Sequence, residues 1–337
     1  MSRSGAVLID LIIISSCLLM SSPVSAQDTG SAAYRHALGQ YRQGDLDAAI
    51  TGFTRIIEAG LSDAAATGQG AARSPGDNLI LHYEDEIVIV PCVAAAYYVR
   101  GLAHYRRRDF RLAANDFNAA TGMVVHYADA WTNLSAALFA LGELQAAQAA
   151  ADRSISIRPR NAAAYHNRGL VWYRMNDYDR AIADFNQALA FNPKSALTWL
   201  NRGNAWFSKH AWDKALADYN QALKLNPQLA AAYNNRGNAE FHRHELEAAL
   251  RDYNEALQLN PRFAEAWFNR GLAFVYLGHE RDAAADFNQC RELDARLGAM
   301  IEQRADKIRI RRERNTDHSA ASYKKSDENS SGIRNPE

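Results

Sequence analysis

Five asparagines recur at a spacing of 34 residues: Asn133, Asn167, Asn201, Asn235 and Asn269. An Asn amide carries a donor and an acceptor, so it can pair with both groups of a peptide backbone. A ladder of such amides can hold a chain without reading its side chains. Aromatic residues follow the same interval six positions later, at Tyr105, Phe139, Tyr173, Phe207 and Phe241, with Val275 ending the series. Half-exposed aromatics supply contact surface at low entropic cost. Asn204 and Asn238, with His166, Asn234 and Phe268, extend this candidate groove. Each series also has a structural alternative. The amides would bond locally, and the rings would pack between successive units.

Other chemistry finds no support. G-x-S-x-G, the P-loop, G-x-G-x-x-G and H-E-x-x-H are all absent, so no catalytic residue and no cofactor is expected. His210, His242, His244 and His279 recur at equivalent places, but ligands spread one per unit do not converge on a metal. Three cysteines, Cys17, Cys92 and Cys290, make no disulfide framework, and Cys92 and Cys290 read as buried free thiols. Lys+Arg and Asp+Glu both number 38, which leaves no bulk field to attract nucleic acid.

The elements that must position these residues are units of 34 residues, beginning at Ala94, Ala128, Ala162, Ala196, Ala230 and Ala264. The fourth position is Tyr97, Trp131, Tyr165, Trp199, Tyr233 and Trp267. The eighth is Gly, except Ser135, and the twentieth is Ala throughout. The twenty-fourth is Phe117, Phe185, Tyr219, Tyr253 and Phe287, except Ala151. Apolar residues at helical spacing predict two helices per unit. Small residues at positions eight and twenty let those helices approach, and the aromatics fill the space around them. Asn-Pro pairs such as Asn192-Pro193 and Asn226-Pro227 stop the second helix, because the residue before Pro leaves the helical region. A unit this small cannot bury its own core, so the units must stack.

Arg at the seventh position travels with Asp at the twenty-third: Arg100 with Asp116, Arg168 with Asp184, Arg202 with Asp218, Arg236 with Asp252, and Arg270 with Asp286. Where the arginine is lost, at Leu134, the aspartate is lost too, at Ala150. An ion pair between the two helices of a unit explains this. A nucleic-acid stripe would not bring its own neutralising Asp.

The marker positions resemble those of the tetratricopeptide repeat family over 94–297. A degenerate seventh unit fits 30–63, with Tyr41, Ala49 and Phe53 at helical spacing. The resemblance implies an all-α, right-handed superhelical solenoid of about seven stacked antiparallel helix pairs. It also implies that the sixth position faces a concave groove. First helices about 10 Å apart would then meet roughly every third residue of an extended chain. Similar asparagine ladders grip substrate chains in the helical arm of O-linked N-acetylglucosamine transferases. Some family members bind terminal carboxylates through Lys or Arg at positions two and five. Neither residue type stands there in this chain, so that mode is not expected.

Residues 64–93 interrupt the period. The stretch from Ala59 to Asp77 is rich in Gly, Ala and Ser and reads as a loop, and Leu79 to Val90 reads as an extended segment. Residues 298–314 read as a capping helix with a basic end, and 315–337 as a disordered tail. Residues 1–26 read as a signal peptide, with Arg3, an apolar run from Ala6 to Met20, and cleavage after Ala26. The alternative is a lipid on Cys17, the one route to membrane attachment. The expectation is therefore a non-enzymatic periplasmic or secreted adaptor that binds a protein or peptide. A structural scaffold and an accessory subunit of an envelope assembly complex are the other readings.

Overall fold

A computed structural model describes residues 32–67, 78–83 and 86–310. The signal peptide, Cys17, the basic end from Arg311 and the tail lie outside the described residues. Two compact units divide the chain between Lys209 and His210.

The first unit opens with α1 (Ala32–Gln43) and α2 (Leu46–Thr67). The stretch 59–67 therefore continues a helix instead of starting a loop. A hairpin follows, β1 (Asn78–Tyr83) and β2 (Glu86–Pro91), antiparallel in the register Leu79↔Val90 and Leu81↔Val88. Val90 is buried and Ile89 is 60% exposed. Then come α3 (Cys92–Arg106), α4 (Phe110–Met123), α5 (Ala128–Ala140), α6 (Leu144–Ile157), α7 (Ala162–Arg174), α8 (Tyr178–Phe191) and α9 (Ala196–Ser208).

In the second unit lie α10 (Trp212–Leu225), α11 (Ala230–His242), α12 (Leu246–Leu259), α13 (Ala264–Leu277), α14 (Glu280–Leu293) and the short α15 (Ala295–Gly298). A last helical stretch, 301–310, buries Ile301 and Ala305 with Phe268, Leu272 and Cys290.

The same local devices recur in each pair. Position fifteen of every repeat takes a left-handed backbone: Gly44, Arg108, Gly142, Asn176, His210, His244 and Gly278, with φ between 60° and 86°. That conformation reverses the chain between the two helices. Second helices stop at Asn192, Asn226 and Asn260 in extended geometry before Pro. Asn161, Asp177 and Ser195 cap helix starts by accepting from backbone N–H groups. A Cβ on Gly101 would stand 2.8 Å from a Phe117 ring carbon, closer than packing permits. Ser135 breaks this rule, and its Oγ donates to the Ala147 carbonyl at 2.7 Å. The same repeat carries Ala151 where the others carry the aromatic ring, so the Ser side chain has room.

Candidate functional site

The ladder asparagines sit on first helices, but the fold already uses much of their chemistry. Asn133 Nδ2 donates to the Tyr98 hydroxyl and to the Asp129 carbonyl, each at 3.0 Å. Asn167 Nδ2 donates to the Thr132 carbonyl of the preceding repeat at 3.0 Å. In the second unit Asn269 Nδ2 donates to Asn234 Oδ1, and Asn234 Nδ2 donates to Asn235 Oδ1. These amides fasten neighbouring repeats, as the local alternative requires. Asn133, Asn167, Asn201 and Asn204 are only 2–6% exposed. Asn235, Asn238 and Asn269 are half-buried. Asn238 Oδ1 accepts from the Tyr253 hydroxyl at 2.8 Å.

Asn201 differs from the others. Its Nδ2 is buried and has no hydrogen-bond partner. A buried donor left in this state costs about 1–3 kcal/mol.

Fifth-position residues turn inward. His166, Asn234 and Phe268 are buried and do not line a groove. The His166 ring lies 5.7 Å from Phe185, and Phe268 lies 6.4 Å from Phe287. One residue earlier on a helix is 100° of rotation, which points the fifth position at its own second helix. Burial pushes His166 down to a pKa of about 4. Its Nδ1 is 2.8 Å from Thr198 Oγ1, which is 2.8 Å from Ser195 Oγ.

Among the twelfth-position aromatics, Tyr105 and Phe139 are buried as inter-repeat packing, while Tyr173, Phe207 and Phe241 are half-buried. Side chains at the thirteenth position reach back to the twelfth residue of the preceding repeat in four places. The Arg106 guanidinium lies 5.1 Å over the Tyr41 ring, and that of Arg174 lies 5.5 Å over Phe139. Ser208 Oγ is 3.3 Å from the Tyr173 hydroxyl, and the Tyr276 ring is 5.9 Å from Phe241. Sequence reasoning missed these thirteenth-position residues. A step of seven from position six would have found them, because seven residues return to nearly the same helix face.

The seventh-position arginines occupy another face. Arg100, Arg168, Arg236 and Arg270 each grip Asp116, Asp184, Asp252 and Asp286 through two hydrogen bonds of 2.6–2.9 Å. Their Nη1 atoms reach back one repeat, to Thr54, Asp152, Asn220 and Asn254. Fourth-position rings stack on the guanidinium, with Arg270 4.7 Å over Trp267.

Tetratricopeptide repeat profiles match residues 31–59, 98–162, 162–195, 196–229, 237–278 and 264–296. The chain is a tetratricopeptide repeat protein. The all-α reading with about seven repeats therefore holds, with the hairpin as its one β addition among the described residues.

No curated protein matches this tetratricopeptide repeat chain. Solved structures share its fold. A tetratricopeptide repeat protein from Parabacteroides merdae is 17% identical, with a TM-score of 0.57 over 83% of this chain and all of that one. Pseudomonas aeruginosa pilF is 18% identical, with a TM-score of 0.55 over 62% of this chain and 96% of that one. The Cut9–Hcn1 structure gives 18% and 0.58, over 65% of this chain but only 42% of that one. Among the described residues, no group of three or more His, Cys, Asp or Glu side chains is placed to hold a metal. No described helix is long and apolar enough to cross a membrane.

Proposed function

We propose that this tetratricopeptide repeat protein is a non-enzymatic interaction module that binds an extended peptide or a partner helix. Within each unit, the strip that binds runs along positions six, nine and thirteen of the first helices. The observation that carries this reading is Asn201, whose buried Nδ2 the fold leaves without an acceptor. Its counterparts Asn133 and Asn167 are both satisfied within the fold. A ligand carbonyl would supply the missing bond. The half-buried Asn235, Asn238, Asn269 and Phe241 offer similar chemistry in the second unit.

The N-terminal run of Arg3, Ala6 to Met20 and the small residues up to Ala26 supports export to the bacterial cell envelope, where the role is that of an adaptor or chaperone-like factor. Crosslinking in intact cells, followed by mass spectrometry, tests both parts. Asn201→Ala, which removes a donor that has no partner in the fold, should reduce partner capture with little change in melting temperature. Unchanged crosslinks would move the binding site elsewhere. A mature chain whose intact mass begins at Gln27 supports cleavage; one carrying a lipid on Cys17 replaces it with an anchor.

A second reading, a scaffold that self-associates through the insert, draws on Ile89, which is 60% exposed on β2. Light scattering of wild type against Ile89→Thr separates the two readings.

A further inference from the structure

The outward face of α4 differs from that of every other second helix. Its position twenty-six is Ala119, where the other repeats carry Arg55, Arg153, Gln187, Gln221, Glu255 and Gln289. Its position nineteen is Leu112, 49% exposed, and no other repeat has a large apolar residue there. Met123 and Val125, 40% and 49% exposed, close the same face. Gly122 is exposed as well, and a Cβ built on it would meet nothing within 4 Å. From Leu112 to Val125 the one charged residue is Asp116, which is buried and held by Arg100 at 2.7 Å. A surface without charge that exposes large apolar side chains has the composition of an interface core.

Asn118, at position twenty-five, stands in the middle of this face. In later repeats that position is taken up by an arginine of the following repeat. Asp152 accepts from Arg168 and Asn186 from Arg202, each at 2.7 Å. The arginine that would reach Asn118 is missing, because Leu134 stands in its place. The Asn118 side chain is therefore exposed and no arginine of the following repeat holds it.

The face is also complementary to itself. Two copies of α4 can lie antiparallel about a two-fold axis between Asn118 and Ala119. Leu112 of one copy then meets Val125 of the other, and Asn115 meets the open space at Gly122. The two Asn118 amides come together at the axis, where each can donate to the other. A charged partner would bury its charge unpaired on this surface, whereas a second α4 brings none. The positive end of each helix dipole lies beside the negative end of the other.

We propose that the outer face of α4 is the interface of a two-fold dimer, and that its occupant is α4 of a second copy of this chain. The face is about 20 Å long at 1.5 Å per residue. That is short of what a permanent dimer buries, so the dimer is a weak one that forms at roughly micromolar concentration. This goes beyond the peptide-binding reading and uses no residue of the first-helix strip. It also differs from self-association through the hairpin, since Ile89 takes no part.

Sedimentation velocity of the full chain tests it, over about 2 to 200 µM. The average sedimentation coefficient should rise with concentration from monomer toward dimer. Leu112→Ala with Ala119→Arg brings in the residue types that the next repeat carries at these positions. It should weaken the dimer at least roughly tenfold and leave the melting temperature in place. Asn118→Cys should crosslink to its own copy under an added oxidant, well above Gln187→Cys, an outward position of α8; if the double variant melts early, this crosslink decides. Asn201→Ala should leave the dimer intact, so the dimer and the groove fail independently. A chain that stays monomeric throughout overturns the proposal, as does a dimer that survives the double variant or is lost in Ile89→Thr alone. Monomers whose partner crosslinks vanish in the double variant would assign the face to a different protein and overturn it too.

Discussion

Arg168 holds Asp184 through two hydrogen bonds, of 2.8 and 2.7 Å, while its remaining nitrogen reaches Asp152 of the preceding repeat at 2.7 Å. One guanidinium thus ties together the two helices of its own repeat and couples that repeat to its neighbour. The side chain of Asp184 is 8% exposed, and the two bonds from Arg168 take up both of its carboxylate oxygens. Removing one member of such a pair strands the other, at a cost of about 3 kcal/mol. Arg168→Leu should lower the melting temperature more than Arg168→Leu combined with Asp184→Ala. Equal losses in thermal denaturation would refute the pairing.

His166 makes stability depend on pH. Its folded pKa, about 4, lies below the ordinary 6.5. The unfolded chain therefore binds the proton more readily between these values. Stability tied to the neutral ring is complete above about pH 6.5 and drains away as pH falls toward 4, by up to about 3 kcal/mol. His166→Gln should flatten that part of the curve. Chemical denaturation at pH 7.5, 5.5 and 4.5 measures it, and parallel curves for both proteins would exclude His166 as the source.

Glu240 stands at the eleventh position, where four of the other repeats carry Leu138, Trp172, Trp206 and Phe274 and two carry Gln40 and His104. Its Oε2 is buried without a hydrogen-bond partner. Burial raises its pKa to about 7, helped by Asp252 and Glu245 and opposed by Arg236, which already grips Asp252. A raised carboxyl pKa means the folded state holds the proton, so ionisation destabilises the repeat as pH rises through 7. Glu240→Leu should stabilise the protein by about 1 kcal/mol at pH 8 and by less at pH 5. A gain independent of pH would contradict this account.

Arg108 occupies the left-handed turn position with φ of 68°, where Gly44, Gly142 and Gly278 stand in other repeats. A side chain in that region costs about 1 kcal/mol or more. Arg108→Gly should recover roughly 0.5 kcal/mol after the added freedom of the unfolded chain is counted. A lower melting temperature would show that the Arg108 side chain contributes something the backbone argument omits.

The 34-residue period was enough to read the helix pairs, the small residues at their crossing and the Arg–Asp couples, because each is a local rule repeated many times. Even the exceptions agreed: Ser135 replaces Gly in the same repeat in which Ala151 replaces an aromatic ring. The insert was less legible. Its Ala-rich start favours helix as much as loop, so α2 continues to Thr67.

What the residues alone could not settle was direction. A ladder of asparagines at position six looks the same whether its amides face a ligand or the next helix. Only the tertiary structure turned Asn133, Asn167 and Asn269 into fasteners, buried Tyr105 and Phe139, and left Asn201 Nδ2 unmatched. Only it placed Arg106 and Arg174 over the rings of the preceding repeats. Periodicity records which residues share a helix face. Which groups on that face find a partner depends on the neighbouring repeat, and that is a property of the packed stack.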